Sequence, residues 1–430
     1  MRIELIAPGR KEALARSKRL LSLAPPLNLA TVAALTPPEI EVSITDENLV
    51  PIDFNRAVDL VGITAVTPTA IRAYDIADAF RDRGIKVVLG GIHPTMLPEE
   101  ASQHADSVVL GEAEGIWRNL IEDFKSGELK SVYRNRIRPS LGGMPWPRRD
   151  LFAKKGYVFR NTISTTRGCP FSCSFCSVTS FFGHTYRSRP IDEIVQEIDS
   201  FDNRRPIFFV DDNIAGDPRR AKQLFSALIP YSIKWVGQAS LTLAEDAELL
   251  KLAAASGCVG LFIGFESIYP ASLASVGKKF THVDGYEQAV SRIHSHGIVI
   301  YGSFIFGLDH DDQDVFERTV RFAQKVKLEA AQFNLLVPYP GTRAYEDLDR
   351  DGRILTKDWS QYHMDTLVFE PRLMSPKTLQ EGHEWAWREF YSVSSMLKRV
   401  RIVRPSLTHL AIVLGINWNY RRGLQGKVII

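Results

Sequence analysis

Three cysteines stand at a CxxxCxxC spacing, Cys169, Cys173 and Cys176, in the stretch Thr166-Arg167-Gly168-Cys169-Pro170-Phe171-Ser172-Cys173-Ser174-Phe175-Cys176. Three thiolates on one short loop suit three corners of a [4Fe–4S] cluster, because cysteine is the ligand such clusters use. The fourth iron is then open, and an open iron can chelate a small molecule through an amine and a carboxylate. The same residues are compatible with a Cys3His zinc site, with His184 as fourth ligand. Structural zinc more often takes paired CxxC knuckles, and the chain has no second pair. The one remaining cysteine, Cys258, follows Gly257 at the start of an apolar run and reads as a small buried residue.

The cysteine loop must be carried by something regular. Six strand-like runs recur around and beyond it: 161–166, 206–211, 233–239, 259–265, 298–306 and 331–337. Helical patterns separate them, at 191–201, 218–229, 244–256 and 284–296. Six successive βα units predict a parallel barrel or partial barrel, with its site at the C-terminal mouth. The cysteines follow the first of these strands, so a cluster lands at that mouth. Other strand ends then gain meaning. Asp211 and Asp212 close the second, Gln238 lies near the end of the third, and Glu266 closes the fourth. Pro340, in Pro338-Tyr339-Pro340-Gly341-Thr342, follows the sixth. A strand-end acid also serves to cap the next helix, a reading that stays open for Asp212.

Before the barrel, short apolar runs at 3–7, 41–45, 60–64, 86–89 and 107–110 alternate with helical patterns. Ala73, Ile76, Ala77 and Phe80 follow the i, i+3, i+4, i+7 rule, which predicts a helix within 68–83. This alternation predicts a doubly wound parallel sheet, whose ligands sit at the carboxyl ends of the strands. Three segments fall there: Gly62-Ile63-Thr64-Ala65-Val66-Thr67-Pro68-Thr69, Gly90-Gly91-Ile92-His93-Pro94-Thr95 and Gly111-Glu112-Ala113-Glu114. Pro139, Gly142, Gly143, Pro145 and Pro147 mark residues 131–160 as a linker. The expected fold is α/β in three parts. A Rossmann-like sheet occupies 1–130, a partial (βα)6 TIM-like barrel 161–345, and a mainly helical extension 346–430.

The cysteine spacing matches the signature of the radical S-adenosylmethionine (SAM) superfamily. The GGxHPT and GEAE stretches resemble the cobalamin-binding domain found at the N-terminus of many of its members. The C-terminal extension resembles that of the cobalamin-type proteins related to the hopanoid methylases. These resemblances imply three cofactors: a [4Fe–4S] cluster on Cys169, Cys173 and Cys176, SAM, and cobalamin. They imply SAM contacts from Phe175 near the adenine, Asp211 and Asp212 near the methionine amine, and Glu266 on the ribose hydroxyls. Arg187 would pair with the SAM carboxylate, and Gln238 and Pro340 complete the set. Cobalamin contacts would come from Thr64, Thr67, Thr69, Gly90, Gly91, His93 and Glu112. DxHxxG is absent, so no histidine is expected on cobalt. For His93, a loop histidine satisfied within the protein is the competing reading.

The implied activity is C-methylation of an unactivated carbon of a small, apolar molecule, through a 5′-deoxyadenosyl radical and methylcobalamin. Radical oxidation, cyclisation or rearrangement without methyl transfer is the alternative, and a non-enzymatic Fe–S redox or sensor protein a third. No catalytic acid or base is evident, and hydrogen abstraction by a radical requires none.

The chain has 430 residues and a formal charge of +3, which gives no argument for nucleic-acid binding. Four cysteines, three of them clustered, fit a reducing compartment rather than a disulfide framework. No signal peptide and no membrane-length apolar run are read, so a cytoplasmic location is expected. Trp385, Trp387, Phe390 and Tyr391, followed by the apolar run 409–416 and Trp418, leave two expectations for the tail. One is a cap or lining for the barrel mouth, or an interfacial membrane element. The other is a helix packed on the barrel. The expected partners are a lipid-like or polycyclic substrate and an electron donor such as flavodoxin or ferredoxin.

Overall fold

The computed structural model describes residues 1–9, 22–135, 137–153, 155–202, 204–399 and 407–424, with the backbone alone at 407–413 and 423–424. The first sheet contains β1 (Arg2–Ala7), β2 (Glu41–Asp46), β3 (Leu60–Thr64), β4 (Lys86–Gly90), β5 (Ser107–Leu110) and β6 (Val132–Arg134). All its pairings are parallel, in the order β2-β1-β3-β4-β5-β6. The order reverses between β1 and β3, the kind of switch point where open α/β sheets bind ligands. Helices Leu27–Leu35 and Trp117–Ser126 cover one face through Leu29, Trp117, Leu120 and Ile121. Helix Ala70–Arg81 covers the other, and the expected stripe of Ala73, Ile76, Ala77 and Phe80 is fully buried. The sixth strand was expected to be linker. It is three residues long with Tyr133 alone buried, so it carries no readable alternation.

The chain continues through β7 (Asn161–Ile163) and a short antiparallel pair, β8 (Thr166–Arg167) with β9 (Arg187–Ser188). It then builds β10 (Ile207–Phe209), β11 (Trp235–Ala239), β12 (Cys258–Glu266), β13 (Val299–Phe306) and β14 (Ala330–Leu335). These run parallel in the order β14-β13-β12-β11-β10-β7, a six-stranded partial barrel with β14 and β7 as its edges. Alternation sorts the two faces. Trp235, Leu261, Ile263, Phe265, Ile300, Phe304, Phe306 and Phe333 pack outward against the helices. Val236, Gln238, Phe262, Tyr301, Ile305 and Gln332 fall on the inner face and are half-buried. Phe262 and Tyr301 meet edge-to-face there at 5.1 Å.

Beyond the barrel the chain first returns to the first sheet. Trp359, Tyr362 and Val368 join the core on the Ala70–Arg81 side. Helix Pro376–Phe390 then seals the edge of β14, whose backbone groups would otherwise lie open. The Tyr391 hydroxyl lies 3.1 Å from the Ala331 amide and donates to the Ala331 carbonyl at 2.7 Å. Trp387 Nε1 donates to the Phe333 carbonyl at 2.7 Å. The Leu335 amide donates to Met364 O at 2.7 Å. Of the expectations for the tail, packing on the barrel holds for Trp387, Phe390 and Tyr391, and the Tyr420 hydroxyl meets that of the inner-face Tyr301; the side chains of 409–413 lie outside the described residues. Trp387, Phe390 and Tyr391 cover the edge strand from Ala331 to Phe333, while Trp385 is exposed. No helix among the described residues is long and apolar enough to cross a membrane.

Candidate active site

The cysteine loop leaves the end of β7 and is held from several sides. Asp211, at the end of β10, is buried, and its Oδ1 accepts from the amides of Thr165 and Thr166 and from both hydroxyls. Gly168 is at φ 87°, and a Cβ there would sit 2.0 Å from Thr185 O, so only glycine fits. Phe171 stacks on Phe280 at 3.5 Å. The Ser174 amide donates to Val276 O and Ser174 O accepts from the Ala344 amide, both at 2.9 Å. The helix that follows the Pro340 turn, Arg343–Arg350, therefore holds the loop, and a Cβ at Gly341 within that turn would lie 2.3 Å from Met96 Sδ of the first domain.

Cys169, Cys173 and Cys176 are free and half-buried, and His184 is exposed. Burial pushes the Cys173 thiol up to about 11 and the Cys176 thiol up to about 12. Burial raises Cys169 too, against a backbone hydrogen bond from Phe171 and a side-chain one from Asn213. The thiols carry their protons until a metal displaces them. Three soft ligands on a pinned loop at a barrel mouth fit an iron–sulfur cluster.

Around them, the expected SAM residues separate. Asp211 is committed to the Thr165–Thr166 turn, because chain leaving an edge strand has amides with no ladder partner. Asp212 remains: burial, then the charge of Asp211, push its carboxyl up to about 6. Arg187 is not free either. It donates to Glu112 Oε1 at 2.5 Å and to Pro139 O at 2.7 Å. Glu266, at φ 63°, takes a 2.7 Å hydrogen bond from Lys278 Nζ. Gln238 is half-buried at the end of β11, and Phe175 packs its ring on the barrel core. Cys258 is fully buried, as expected.

A cavity of about 200 Å³ opens at the carboxyl ends of the first sheet. Leu5, Gly62, Val88, Val109, Leu29 and Trp117 line its depth. Thr64, Gly90, Gly91, Glu112 and Glu114 line its rim, and Arg167, Phe181 and Phe182 close it from the cysteine side. The cavity faces both the first sheet and the helix after the cysteines. Its glycines let a large flat ligand approach backbone closely, so the residues fit a corrin with an apolar-lined slot for part of it.

Three expected cobalamin residues lie elsewhere. His93 is fully buried, with Nδ1 3.2 Å from Thr67 Oγ1 and Nε2 3.2 Å from Glu100 Oε1. Glu100 also accepts from Tyr74 OH and Trp359 Nε1, each at 2.9 Å. Burial works to raise the Glu100 carboxyl, and these donors together hold it below its usual range. Thr69 Oγ1 donates to Val66 O within its own turn. His93 and Thr67 are thus architectural, tying the sheet to Trp359; the satisfied-histidine reading describes this position.

Some residues escaped the sequence reading altogether. Arg167 sits in the two-residue strand β8 and Lys278 beside Lys279 after a short helix, while Asn213 and Phe280 touch the cysteine loop from other segments. No spacing distinguishes them from surface residues.

The fold and the two sites together define a cobalamin-dependent radical SAM protein. The Radical SAM superfamily model matches residues 163–323 and the B12 binding domain model residues 19–121. The chain is 35% identical over 389 residues to a bacteriochlorophyllide d C-12(1)-methyltransferase of Chlorobaculum tepidum, covering 87% of this chain and 84% of that one. It is 31% identical over 385 residues to the bacteriochlorophyllide d C-8(2)-methyltransferase of the same organism, covering 84% and 85%. The structure of the radical SAM methyltransferase TsrM from Kitasatospora setae, with cobalamin and a [4Fe–4S] cluster bound, superimposes with a TM-score of 0.70 at 16% identity, covering 99% and 98%. The chain belongs to the cobalamin-dependent radical SAM methyltransferases, enzymes that use a [4Fe–4S] cluster, SAM and cobalamin.

Proposed function

We propose that this enzyme methylates an unactivated carbon on a tetrapyrrole of the bacteriochlorophyllide kind. The observation that carries this substrate class is the 35% identity to the C-12(1)-methyltransferase over most of both chains. The barrel interior supports it. Phe208, Val236, Phe262, Tyr301 and Ile305 offer aromatic and aliphatic surface to a flat ring, and Gln238, Gln332 and Asn334 offer neutral hydrogen bonds at its edge. Glu266 is the one charged residue of the barrel strands, and Lys278 meets its charge.

When bound, the cluster supplies the electron for SAM cleavage and cobalamin supplies the transferable methyl group. The chain's own residues bind and orient. Cys169, Cys173 and Cys176 hold the cluster. Asp212 would receive the methionine amine, whose positive charge would offset the burial and the Asp211 repulsion felt by that carboxyl. Glu266, kept in place by Lys278, would bind the ribose hydroxyls, and Phe175 would serve the adenine. Thr64, Gly90, Gly91 and Glu112 rim the corrin cavity. Val88→Phe, which fills its depth, should remove cobalamin binding and leave iron content unchanged.

An external one-electron donor of the flavodoxin or ferredoxin kind reduces the cluster. Leu414, Trp418 and Arg422, four residues apart on helix Leu407–Leu424, form an exposed stripe suited to peripheral contact with an anionic membrane.

The test is anaerobic turnover with methyl-labelled SAM against a chlorin of the bacteriochlorophyllide type and a polycyclic triterpene, read by mass spectrometry. A labelled chlorin is expected. Label on the triterpene alone, or on neither, overturns the substrate class.

A further inference from the structure

Two carboxylates on the rim of the corrin cavity and two guanidiniums beside the cysteines form one closed cluster. Arg167 precedes Gly168-Cys169 directly. Its NH1 donates to Glu112 Oε2 and its NH2 to Glu114 Oε1, both at 2.5 Å. Arg187 is its cross-strand partner in the β8–β9 pair and donates to Glu112 Oε1 at 2.5 Å. Glu112 therefore bridges two arginines with its two oxygens. The side chains of Glu112 and Glu114 are 5% and 10% exposed, and those of the arginines 18% and 17%, so water screens these bonds little.

Both sides of the cluster are rigid. The carboxylates sit on a tight loop whose ends, Gly111 and Gly115, take φ 81° and 83°. The Gly111 amide donates to Thr95 Oγ1 at 2.9 Å, and Asn135 Nδ2 donates to the carbonyls of both Glu112 and Glu114. On the other side, Gly168 admits no side chain and Asp211 pins the Thr165–Thr166 turn. A displacement of the cavity rim must therefore move the cysteine loop, or break buried ion pairs. Breaking a buried pair by removing one partner is costly, because it strands the other charge.

We infer that Arg167, with Arg187, Glu112 and Glu114, is a positioning device that couples cobalamin binding to the cluster loop. This rests on the reading that cobalamin occupies the cavity. The coupling is reciprocal by thermodynamic necessity: whatever the cluster does for cobalamin affinity, cobalamin does for the cluster. The device also fixes the separation between the two cofactor sites, which a transfer passing between them requires to be constant.

The test measures the dissociation constant of hydroxocobalamin, by absorbance titration without turnover, on cluster-loaded and cluster-free protein. For the native chain, the loaded form should bind about fivefold or more tightly, the lower end of ordinary allosteric coupling. Arg167→Met, which leaves only the Arg187–Glu112 bond of the device, should lower this ratio toward one while leaving binding measurable. Glu114→Gln keeps the Arg167–Glu112 pair and should leave an intermediate ratio, which guards against an Arg167 variant that fails to fold. Arg167→Lys should restore part of the coupling. A ratio of one in the native chain, or a ratio unchanged in a folded Arg167→Met variant, overturns the inference. Failure of any form to bind hydroxocobalamin would instead overturn the assignment of the cavity.

Discussion

Lys278 Nζ lies 2.7 Å from Glu266 Oε1 and 2.6 Å from the Gly264 carbonyl oxygen. The pair closes over a shift in register between Gly264 and Glu266, where β12 bends out of its ladder with β13. That bend turns the carboxylate toward the cysteine loop, and the lysine fixes it there.

Lys278→Met should strand a buried carboxylate and cost about 3 kcal/mol in denaturant unfolding. Adding Glu266→Gln removes the stranded charge and should return part of that loss, giving a coupling of about 1 kcal/mol or more in a double-mutant cycle. Glu266→Gln alone should weaken SAM binding. Strictly additive effects would mean that the two residues do not act on each other.

The buried thiols predict how the cluster loads. With Cys173 and Cys176 raised to about 11 and 12, each ligation at neutral pH releases a proton. Ligation by all three thiols releases about three protons, so iron incorporation should rise steeply with pH between roughly 6.5 and 9. Cys169→Ala, Cys173→Ala or Cys176→Ala should each lose the visible cluster absorbance. Cys258→Ala, deep in the outer core, should keep it. Flat pH dependence, or iron retained in any of the first three variants, contradicts the ligand set.

Tyr391→Phe removes the hydroxyl that serves both backbone groups of Ala331. Two buried groups then lack a partner, a loss of about 2–4 kcal/mol. Amide exchange at Ala331 should accelerate with it. Trp385→Ala, at an exposed position, should change stability by less than about 0.5 kcal/mol. Equal effects from the two would deny that this helix seals the edge of β14.

Elements with a sustained period were legible in the sequence: the five longer strands of the first sheet, the six of the barrel, and the Ala73–Phe80 stripe. So was the gathering of Cys169, Cys173 and Cys176 on one loop at the barrel mouth, because their spacing is local. Arg187, Asp211 and His93 were not, because their partners Glu112, Thr165–Thr166 and Glu100 are chosen by tertiary contact. A buried histidine and a ligating one look alike in one dimension. The tail aromatics misled in a similar way: Trp387 and Tyr391 answer the needs of an edge strand that no local pattern reveals.

The central claim is methyl transfer that uses both cofactor sites of one chain. Its most direct test counts by-products during anaerobic turnover of the chlorin with methyl-labelled SAM. One SAM should yield S-adenosylhomocysteine as cobalt is methylated, and a second should yield 5′-deoxyadenosine. Both should accumulate in about equal amounts with a product carrying the label on carbon. An altered substrate with 5′-deoxyadenosine but no S-adenosylhomocysteine, or turnover undiminished after cobalamin is removed, would contradict the account.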